Sequence, residues 1–433
     1  MRRRDLLSGL ALLGTGSALA RGREGAVPAA GPAAAAAPDL SDWESVRRQF
    51  PLDYSYIQMS QFFLTSHPQP VRAAIEAHRR GLDANPFLYV EQNIERFERA
   101  TRAAAAAHLG CGPDELAMTD STTMGLGVFY GALLLREGQE ILSTTHDHPA
   151  TYRALDLRAR RMGGTLRRVP LYLDSAKANA DQMTEALAIE IRPATRVVAV
   201  TWVHSGTGVK TPIARFAQTV AAANRGRAEK DRAFLCVDGV HGFGVEDETV
   251  QSLGCDMLSA GCHKWLFGPR GTGVLWARPE AWALTGPTIT SFDRMWRKAS
   301  NESMPIAAQM TPGGFHSFEH RWALADAFRF HESIGKTRIA RRVHELNDQC
   351  KRGLASIKRV QLRTPMAAEL SAGIIAFDVE GMPPEEVVEK LLRKKVIASV
   401  SPYANEKHAR LSPSLLTSPA DVDASLRALR EIV

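Results

Sequence analysis

The sequence is poor in cysteine, and this excludes two kinds of small scaffold. Five of its 433 residues are Cys, and no two of them form a C-x-x-C pair. They are Cys111, Cys236, Cys255, Cys262 and Cys350. They are few and odd in number, and they lack the C-x-x-C spacing of zinc sites, so neither a disulfide framework nor a structural zinc site is expected.

A strong charge of one sign is missing as well. The net charge is +7, and residues 1–25 contribute +3 of it, because they carry five Arg against one Asp and one Glu. The remaining charge, 7 − 3 = +4, is too small and too scattered for a nucleic-acid-binding surface. The composition is that of a globular protein, and the length predicts a large domain with a smaller one.

The sequence also lacks a long apolar run. The apolar part of "MRRRDLLSGLALLGTGSALA" is too short and too rich in Gly for a transmembrane span, and no later segment is typical of one. The run "RRDLL" from Arg3 is similar to a twin-arginine export signal. We therefore predict a signal peptide at residues 1–25 and an Ala/Pro-rich tether at residues 26–40. An uncleaved anchor and a chance basic terminus are the alternatives.

After this segment, apolar runs alternate with helical patterns. The runs predict strands at Glu115–Thr119, Glu140–Thr144, Thr165–Pro170, Arg196–Val203, Ala233–Val237, Asp256–Ala260 and Gly273–Ala277. Helices are predicted at Thr123–Arg136, Ala150–Arg161, Met183–Ile191, Ile213–Asn224 and, as one long basic helical region, Asp326–Leu354. Such alternation predicts an α/β fold with a mostly parallel, seven-stranded sheet between helices.

The C-terminal part predicts a smaller α/β domain. Its elements are a strand at Ile374–Val379, a helix at Pro384–Lys394, a strand near Ile397 and a helix at Pro419–Glu431. We expect a large domain at residues 75–300, a small domain at residues 301–433, and a segment at residues 41–74 that packs with the small domain. Ligands of such sheets bind at the carboxyl ends of the strands, so the residues after each strand are the candidates.

Two of these strand ends carry hydroxyl and imidazole groups. Ser121, Thr122 and Thr123 follow the first strand and open a helix, where hydroxyls and free N–H groups suit a phosphate. An ordinary helix cap is the alternative. The sequence "THDHPA" at the second strand contains His146 and His148, which suit either a metal or stacking on a planar ligand. No further cluster completes a metal site, so no metal is predicted.

Two later strand ends carry Asp238 and Lys264. A carboxylate at the end of an apolar strand needs a cation or donors; a protonated pyridine nitrogen is such a cation, and a helix-capping Asp is the alternative. A partly desolvated Lys has a lowered pKa and attacks carbonyls as an amine, whereas a Lys that extends to solvent is the alternative. Together, the four strand ends offer a phosphate cradle, a stacking ring, a pyridinium partner and a reactive lysine, which pyridoxal phosphate requires.

The order of motifs points to a known family. "DSTT", "HDHPA", "WVHSGTG", "VDGVHGFG", "SAGCHKWLFGPRGTGVL" and "ARLSP" together resemble the class V aminotransferase family of fold-type I pyridoxal-phosphate enzymes, over roughly residues 54–433. This family includes cysteine desulfurases and isopenicillin N epimerase-like proteins, and "WVHSGTG" is more similar to the second branch.

The resemblance implies roles for individual residues. Lys264 would form the Schiff base with the cofactor, Asp238 would meet its pyridinium nitrogen, and both would be catalytic. His241 would approach the 3-oxygen of the cofactor, and His148 would stack on its ring. The other implied cofactor contacts are Ser121, Thr122, Thr123, Ser205 and His263.

Substrate contacts are implied in the same way. Arg410, in "ARLSP", matches the arginine that holds the α-carboxylate of the substrate, which a guanidinium does through two hydrogen bonds. Gln58, Gln61 and His204 lie in stretches that depart from better-known relatives, and we predict that they contact the substrate.

Two departures from the family pattern bear on function. Desulfurases carry a nucleophilic Cys before the family arginine, and no residue from Lys351 to Val433 is Cys, so sulfur abstraction is disfavoured. Gly314-Phe315 stands where many relatives have a Gly-Thr pair that reaches the phosphate bound by the other subunit of a homodimer. Ser317 or a backbone N–H would have to take over that contact.

The resemblance implies an enzyme that acts on an amino acid or a peptide-like small molecule and forms a homodimer. Transamination, epimerisation and elimination use the same cofactor groups, so the sequence does not choose among them. The "YIQMSQFFLTSHP" stretch is similar to that of exported relatives that modify a glutamyl group of a siderophore. We therefore expect a protein that loads pyridoxal phosphate in the cytoplasm, leaves through the twin-arginine machinery, and modifies a glutamyl group in the periplasm. An epimerase or aminotransferase of a small free amino acid or peptide and a non-catalytic relative are the alternatives.

Overall fold

A seven-stranded sheet forms the centre of the molecule. The computed structural model describes residues 39–293, 297, 303–401, 403 and 407–433. The strands of the large sheet are β2 (Leu116–Thr119), β3 (Glu140–Thr144), β4 (Thr165–Val169), β5 (Thr195–Thr201), β6 (Phe234–Asp238), β7 (Met257–Gly261) and β8 (Gly273–Ala277). Their order is β2-β8-β7-β6-β5-β3-β4. β8 runs antiparallel to both of its neighbours, and the other strands are mutually parallel.

Helices cover both faces of this sheet. The α-helices of the described residues, of which the last two pack in the C-terminal core instead, are α1 (Trp43–Arg48), α2 (Gln69–Ala84), α3 (Pro86–Leu109), α4 (Thr122–Ala132), α5 (Pro149–Arg161), α6 (Ala180–Glu190), α7 (Ile213–Ala223), α8 (Val250–Leu253), α9 (Pro279–Trp282), α10 (Ile306–Gln309), α11 (Phe318–Ile334), α12 (Lys336–Ala355), α13 (Pro384–Arg393) and α14 (Pro419–Ile432). None of the described helices is both long enough and apolar enough to cross a membrane.

The central strands are apolar throughout because both of their faces are buried. In β6, Leu235 and Val237 belong to one hydrophobic core, while Phe234 and Cys236 belong to the core on the opposite face. Successive side chains of a strand point to opposite faces, so a strand covered on both sides alternates between two cores. This arrangement confirms the predicted α/β fold with a mostly parallel sheet.

A second sheet lies in the C-terminal part and has its own core. Its strands are β9 (Val360–Leu362), β10 (Ile375–Val379), β12 (Ser399–Val400) and β13 (Ala409–Leu411), in the order β12-β13-β10-β9. A two-residue strand, β1 (Ile57–Gln58), pairs with β11 (Val396–Ile397), and Met59 is buried in the C-terminal core. The segment before the large sheet therefore packs with the C-terminal part.

Several predicted boundaries differ from the structure. The helical region Asp326–Leu354 is two helices, α11 and α12, because Gly335 adopts φ 94° and interrupts the hydrogen-bond ladder. Leu40, the last residue of the predicted tether, is buried, and its carbonyl accepts a hydrogen bond from Arg338. The predicted signal peptide and tether up to residue 38 lie outside the described residues. The domain boundary at residue 75 falls inside α2, and the division at residue 300 stays a prediction.

Candidate active site

A cavity of about 760 Å³ opens at the carboxyl ends of the parallel strands. Sequence-predicted residues that line it are Ser121, Thr122, Thr123, His148, Ser205, Asp238, His241, His263, Lys264 and Arg410. They come from the segments after five strands of the large sheet and from β13 of the C-terminal sheet. The fold therefore brings these side chains, which are far apart in sequence, to one place.

Lys264 projects from a tight turn that follows β7. The turn is closed by hydrogen bonds from Phe267 N–H to Lys264 O (3.0 Å) and from Gly268 N–H to Cys262 O (2.8 Å). Phe267 adopts φ 56°, a left-handed conformation that persists only where the surroundings impose it. Its buried ring packs on Phe50 with 5.0 Å between the ring centroids. This packing fixes the turn and with it the position of Lys264.

The amine of Lys264 has no hydrogen-bond or ion-pair partner among the described residues. Burial lowers its pKa to about 8, Asp238 opposes that shift, and the positive charge of Arg410 adds to it. A Lys with such a pKa is partly neutral at physiological pH. The neutral amine is the form that attacks a carbonyl.

Asp238 ends β6 and is 2% exposed. Its carboxylate accepts hydrogen bonds from Thr151 Oγ1 and from Val240 N–H, both at 3.2 Å, and it forms no ion pair with another described residue. Burial raises the pKa of Asp238 to about 6, although these donors and Lys264 favour the charged form. A buried carboxylate with neutral donors alone would gain stability from a cation.

The start of α4 forms another wall of the cavity. Ser121 Oγ caps the helix by accepting from Met124 N–H (3.1 Å), and Thr122 Oγ1 accepts from Gly261 N–H (2.7 Å), which joins α4 to β7. The capping alternative is thus realised, and it leaves the first N–H groups of the helix, which lack partners within it, open to an anion. Thr123 lines the cavity beside them.

Two of the imidazoles around the cavity are held in defined states. His241 Nδ1 accepts from Trp265 Nε1 (3.3 Å) and His148 Nδ1 accepts from Ala150 N–H (3.1 Å). Burial lowers the pKa of both rings, so each ring is neutral and carries its proton on Nε2 as a donor. Burial also lowers the pKa of His263, whose Nδ1 is buried without a hydrogen-bond partner.

Arg410 brings the C-terminal sheet into the site. It donates to Ser205 O (2.6 Å) and Val400 O (2.8 Å), and its guanidinium carbon lies 4.7 Å from the ring centroid of Phe62. Burial lowers its pKa to about 10, so Arg410 stays charged at neutral pH. No described carboxylate pairs with it, and a buried cation without a counter-ion favours an anionic ligand.

Three predicted substrate contacts do not line the cavity. Gln61 donates to Gln58 Oε1 (2.9 Å), so these two amides bind each other beside β1. His204 is 2% exposed, and its Nδ1 lies 2.9 Å from the hydroxyl of Tyr172. The ring of Tyr172 stacks in turn on His146, which does line the cavity. His204 therefore lies behind the cavity wall.

Sequence reasoning missed Tyr403, and in the stretch that it expected to contact the substrate it named Gln58 and Gln61 rather than the apolar residues 62–64. The hydroxyl of Tyr403 lies 2.7 Å from that of Ser205, and its ring meets His148 edge-on at 6.0 Å. Phe62, Phe63 and Leu64 add an apolar wall to the cavity. The sequence signal was weak: one aromatic residue in the loop before "ARLSP", and a short apolar run in "YIQMSQFFLTSHP".

Comparison with known proteins assigns the family. The Aminotransferase class-V family model matches residues 65–405. The chain belongs to this family. Isopenicillin N epimerase of Streptomyces clavuligerus is 26% identical over 90% of this chain and 98% of its own length. A probable cysteine desulfurase of Pseudomonas aeruginosa is 33% identical over 49% of this chain and 51% of its own length.

Solved structures share the fold. The cystine C–S lyase in complex with cysteine persulfide superposes with a TM-score of 0.79 at 22% identity, over 88% of this chain and 99% of that one. The cysteine desulfurase of Thermococcus onnurineus gives a TM-score of 0.76 at 21% identity, over 90% of this chain and 98% of that one. These likenesses support the fold-type I architecture.

Pyridoxal phosphate is the cofactor of this family, and the residues of the cavity fit it. Asp238 lacks a cation and Lys264 lacks a partner. Four buried polar atoms of lining residues also have no hydrogen-bond partner: Thr201 Oγ1, His263 Nδ1, Ser399 Oγ and Arg410 Nε. Lys264 would hold the cofactor covalently, Asp238 would face its ring nitrogen, and the start of α4 would meet its phosphate. The protein is thus a pyridoxal-phosphate-dependent enzyme of the class V family.

Proposed function

We propose that this enzyme acts in the periplasm on the amino-acid head of a glutamyl group that belongs to a secreted, peptide-like product such as a siderophore. The observation that carries the proposal is the convergence of Lys264, Asp238 and Arg410 on one cavity. A reactive amine, a carboxylate and a fixed guanidinium together select a substrate with an amino group and a carboxylate.

The residues of the chain divide the chemical work. When bound, pyridoxal phosphate supplies an electron sink for negative charge at the substrate Cα. Asp238 keeps positive charge at the ring nitrogen. Lys264, with a pKa of about 8, takes up and returns a proton near neutral pH. Arg410 orients the carboxylate of the substrate, and the donors at the start of α4 anchor the phosphate.

The reaction type is tested with the purified holoenzyme in deuterated water. Candidate γ-glutamyl peptides and free amino acids are incubated separately, and the products are read by mass spectrometry and NMR. Deuterium at Cα with the amine retained identifies an epimerase, a keto acid identifies a transaminase, and loss of a side-chain group identifies a lyase. A protein that binds no cofactor, as judged by visible absorption against Lys264→Ala, refutes the enzymatic proposal.

A second candidate function is epimerisation or transamination of a small free amino acid or peptide. The similarity to isopenicillin N epimerase over nearly the whole of both chains favours it. The same panel separates the two candidates. A preference for γ-glutamyl peptides supports the first, and a preference for free amino acids supports the second.

Export is proposed from the twin-arginine run that begins at Arg3. A folded, cofactor-loaded protein is the natural cargo of that pathway, because pyridoxal phosphate is a cytoplasmic cofactor. The test is fractionation of cells that express the wild type or a variant with both Arg3→Lys and Arg4→Lys. We expect the wild type in the periplasm and the variant in the cytoplasm; an unchanged distribution would refute the targeting proposal.

We also propose that the enzyme is a homodimer. Large apolar side chains are exposed near the cavity wall and beside α11: Phe63 is 70% exposed and Phe315 is 86% exposed. Exposed apolar patches mark interaction sites. Ser317, which precedes α11, makes no capping hydrogen bond with its side chain and is the candidate for the predicted cross-subunit phosphate contact. Analytical ultracentrifugation tests the stoichiometry; a monomer at micromolar concentration would contradict the proposal.

A further inference from the structure

A second cavity opens at the end of the large sheet that lies opposite to the active site. It has a volume of about 1050 Å³, and it is lined by Arg196 near the start of β5, Phe234 at the start of β6 and Asp256 directly before β7. None of its described lining residues lines the active-site cavity, and neither Phe63 nor Phe315 is among them. The second cavity is therefore separate from the residues assigned to the cofactor, the substrate and the proposed dimer contact.

The lining of the second cavity is basic. Its basic side chains are those of Arg196, Arg227, Lys230, Arg232 and Arg278, and its acidic ones are those of Glu229, Asp256 and Glu280. Five cations against three carboxylates leave an excess of two positive charges. Arg278 forms an ion pair with Asp256 (3.0 Å), so the excess lies with the other residues.

Arg196 is a buried cation without a counter-ion. It is 6% exposed, and its guanidinium donates to Glu229 O (3.2 Å) and to Arg232 O. The guanidinium carbon lies 4.9 Å from the ring centroid of Phe234, and no described carboxylate forms an ion pair with it. A buried guanidinium with neutral acceptors alone gains stability from an anion.

Hydrogen bonds fix the segment that carries the other cations, residues 224–232. The side chain of Asn224 donates to Ala233 O (2.8 Å) and accepts from Ala233 N–H (2.7 Å). Arg227 donates to Thr195 O (3.0 Å) at the start of β5. The segment is thus tied to the starts of β5 and β6, and its side chains extend from a fixed backbone.

Two cations of this segment have no partner among the described residues. Lys230 and Arg232 are exposed, and neither side chain forms a hydrogen bond or an ion pair there. The carboxylates of Glu229 and Glu280 are also exposed at this cavity without a described ion pair. They compete with an external anion, but Arg196, Lys230 and Arg232 outnumber them.

Apolar side chains complete the lining. Ala217, Val220 and Ala221 come from α7, and Ala283 and Leu284 follow α9. An apolar group gains free energy from contact with such side chains. A ligand that joins an anionic group to an apolar body therefore matches the lining better than an inorganic ion does.

We propose that the second cavity binds an organic phosphate, with the phosphate group at Arg196, Lys230 and Arg232 and the organic part against α7. At pH 8 a phosphate monoester carries close to two negative charges, because its second pKa is about 6, and this matches the excess of positive charge in the lining. Guanidinium groups bind phosphate oxygens through paired hydrogen bonds. A monocarboxylate supplies half of that charge and is the weaker ligand.

The test is isothermal titration calorimetry of the holoenzyme at pH 8 with phenyl phosphate, inorganic phosphate and benzoate. In the holoenzyme, the cofactor fills the phosphate site at the start of α4, so the probes do not bind there. We expect one molecule of phenyl phosphate to bind per chain, several-fold more tightly than either of the other probes. The visible absorption of the cofactor should stay unchanged; a change that saturates together with the heat would place the probe in the active site and contradict the proposal.

A variant pair locates the binding. Arg232→Gln removes an exposed cation that lines the cavity, whereas Arg225→Gln removes an exposed cation of the same segment that does not line it. Both substitutions lower the net charge by one. We expect phenyl phosphate to bind about tenfold more weakly to Arg232→Gln, while binding to Arg225→Gln stays within about twofold of the wild type.

Three results would overturn the proposal: no saturable binding by the wild-type holoenzyme, equal losses in the two variants, or benzoate bound as tightly as phenyl phosphate. Arg232→Gln should keep the Tm of the wild type, because its side chain is exposed. If its Tm falls, Lys230→Gln, which removes the second exposed cation, replaces it in the same comparison. None of these results bears on the proposed function, since no residue assigned to catalysis is changed.

Discussion

The hydroxyl of Tyr403 lies 2.7 Å from the hydroxyl of Ser205, and Arg410 donates to the backbone carbonyl of the same serine. Ser205 follows β5 of the large sheet, while Tyr403 and Arg410 belong to the C-terminal part. Ser205 therefore forms hydrogen bonds with two side chains, Tyr403 and Arg410, that lie across the cavity from it. The position of Arg410 depends on a contact that joins the two sheets.

Removing the Tyr403 hydroxyl tests this coupling. Burial raises the pKa of Tyr403 to about 12, so the phenol is neutral and able to donate at pH 7. Tyr403→Phe keeps the ring beside His148 but loses the hydrogen bond, which is worth about 0.5–1.5 kcal/mol. We expect KM to rise about two- to tenfold with a smaller change in kcat, as measured by steady-state kinetics.

The control for Tyr403→Phe is a double-mutant cycle with Ser205→Ala. Because the two hydroxyls bind each other, the second substitution should add little to the first. Additive effects on KM would show that the hydroxyls act independently and would contradict the proposed coupling. If Tyr403→Phe lowers both kcat and the Tm, the hydroxyl has a structural role instead.

Asp238→Asn should stabilise the protein without cofactor at neutral pH. The pKa of Asp238 is raised from 3.8 to about 6 by burial, so the folded state binds the proton more tightly than the unfolded state. The stabilising effect of that proton is present below about 3.8 and is lost as the pH rises through about 6. Thermal melting of the apo-protein should show a higher Tm for Asp238→Asn than for the wild type at pH 7.5, and a smaller difference in Tm at pH 5.

The holoenzyme should show the opposite effect of the same substitution. There the carboxylate faces a cationic ring, and a hydrogen bond to a charged group is worth about 1.5–3 kcal/mol. We expect Asp238→Asn to weaken cofactor binding and to lower kcat by about ten- to hundredfold. An unchanged kcat in Asp238→Asn would show that the Asp238 carboxylate takes no part in the reaction.

The sequence reasoning succeeded where a residue's place follows from its strand. Asp238 and Lys264 come at the ends of two buried apolar runs, β6 and β7, that pair in parallel, so their proximity follows from the general geometry of such sheets. The role of Arg410 came from family resemblance, since nothing in its local pattern separates it from a surface arginine. Its buried site in β13 depends on how the C-terminal sheet packs.

The failures have physical causes of the same kind. Gln58 and Gln61 are polar residues in a segment near the cavity, but the Gln61 amide donates to Gln58 Oε1, and sequence does not show that pairing. The predicted helical region Asp326–Leu354 is divided at Gly335. Helices tolerate a glycine at a cost, but Gly335 adopts a positive φ and ends the first helix. Tyr403 was missed because its contacts, Ser205 and His148, are distant in sequence.

Cofactor uptake should follow the protonation of Lys264. The neutral amine is the reactive form, so the rate of covalent incorporation of pyridoxal phosphate into apo-protein should rise with pH and level off above the pKa of about 8. Asp238 raises this pKa and Arg410 lowers it. Stopped-flow absorbance should therefore show a lower midpoint in Asp238→Asn and a higher midpoint in Arg410→Met. Lys264→Ala is the blank, and a pH-independent rate in the wild type would refute the assignment.

Gly373 and Trp265 connect the C-terminal part to the turn that carries Lys264. A Cβ at Gly373 would lie 2.1 Å from Cη2 of the Trp265 ring, and that ring is 3% exposed and donates to His241 through Nε1. Because the ring is enclosed, Gly373→Ala must displace either the chain or Trp265. We expect a loss of about 1–3 kcal/mol in the free energy of unfolding, measured by denaturant titration, together with a lower kcat.

The matched control for Gly373→Ala is Gly127→Ala. Gly127 is exposed in α4, and an added Cβ meets nothing within 4 Å, so the substitution should stabilise the helix by about 0.5–1 kcal/mol. Equal effects of the two substitutions would show that contact with Trp265 does not matter. A loss of activity in Gly373→Ala that is restored by Trp265→Phe, which frees space at the same point, would trace the effect to this contact.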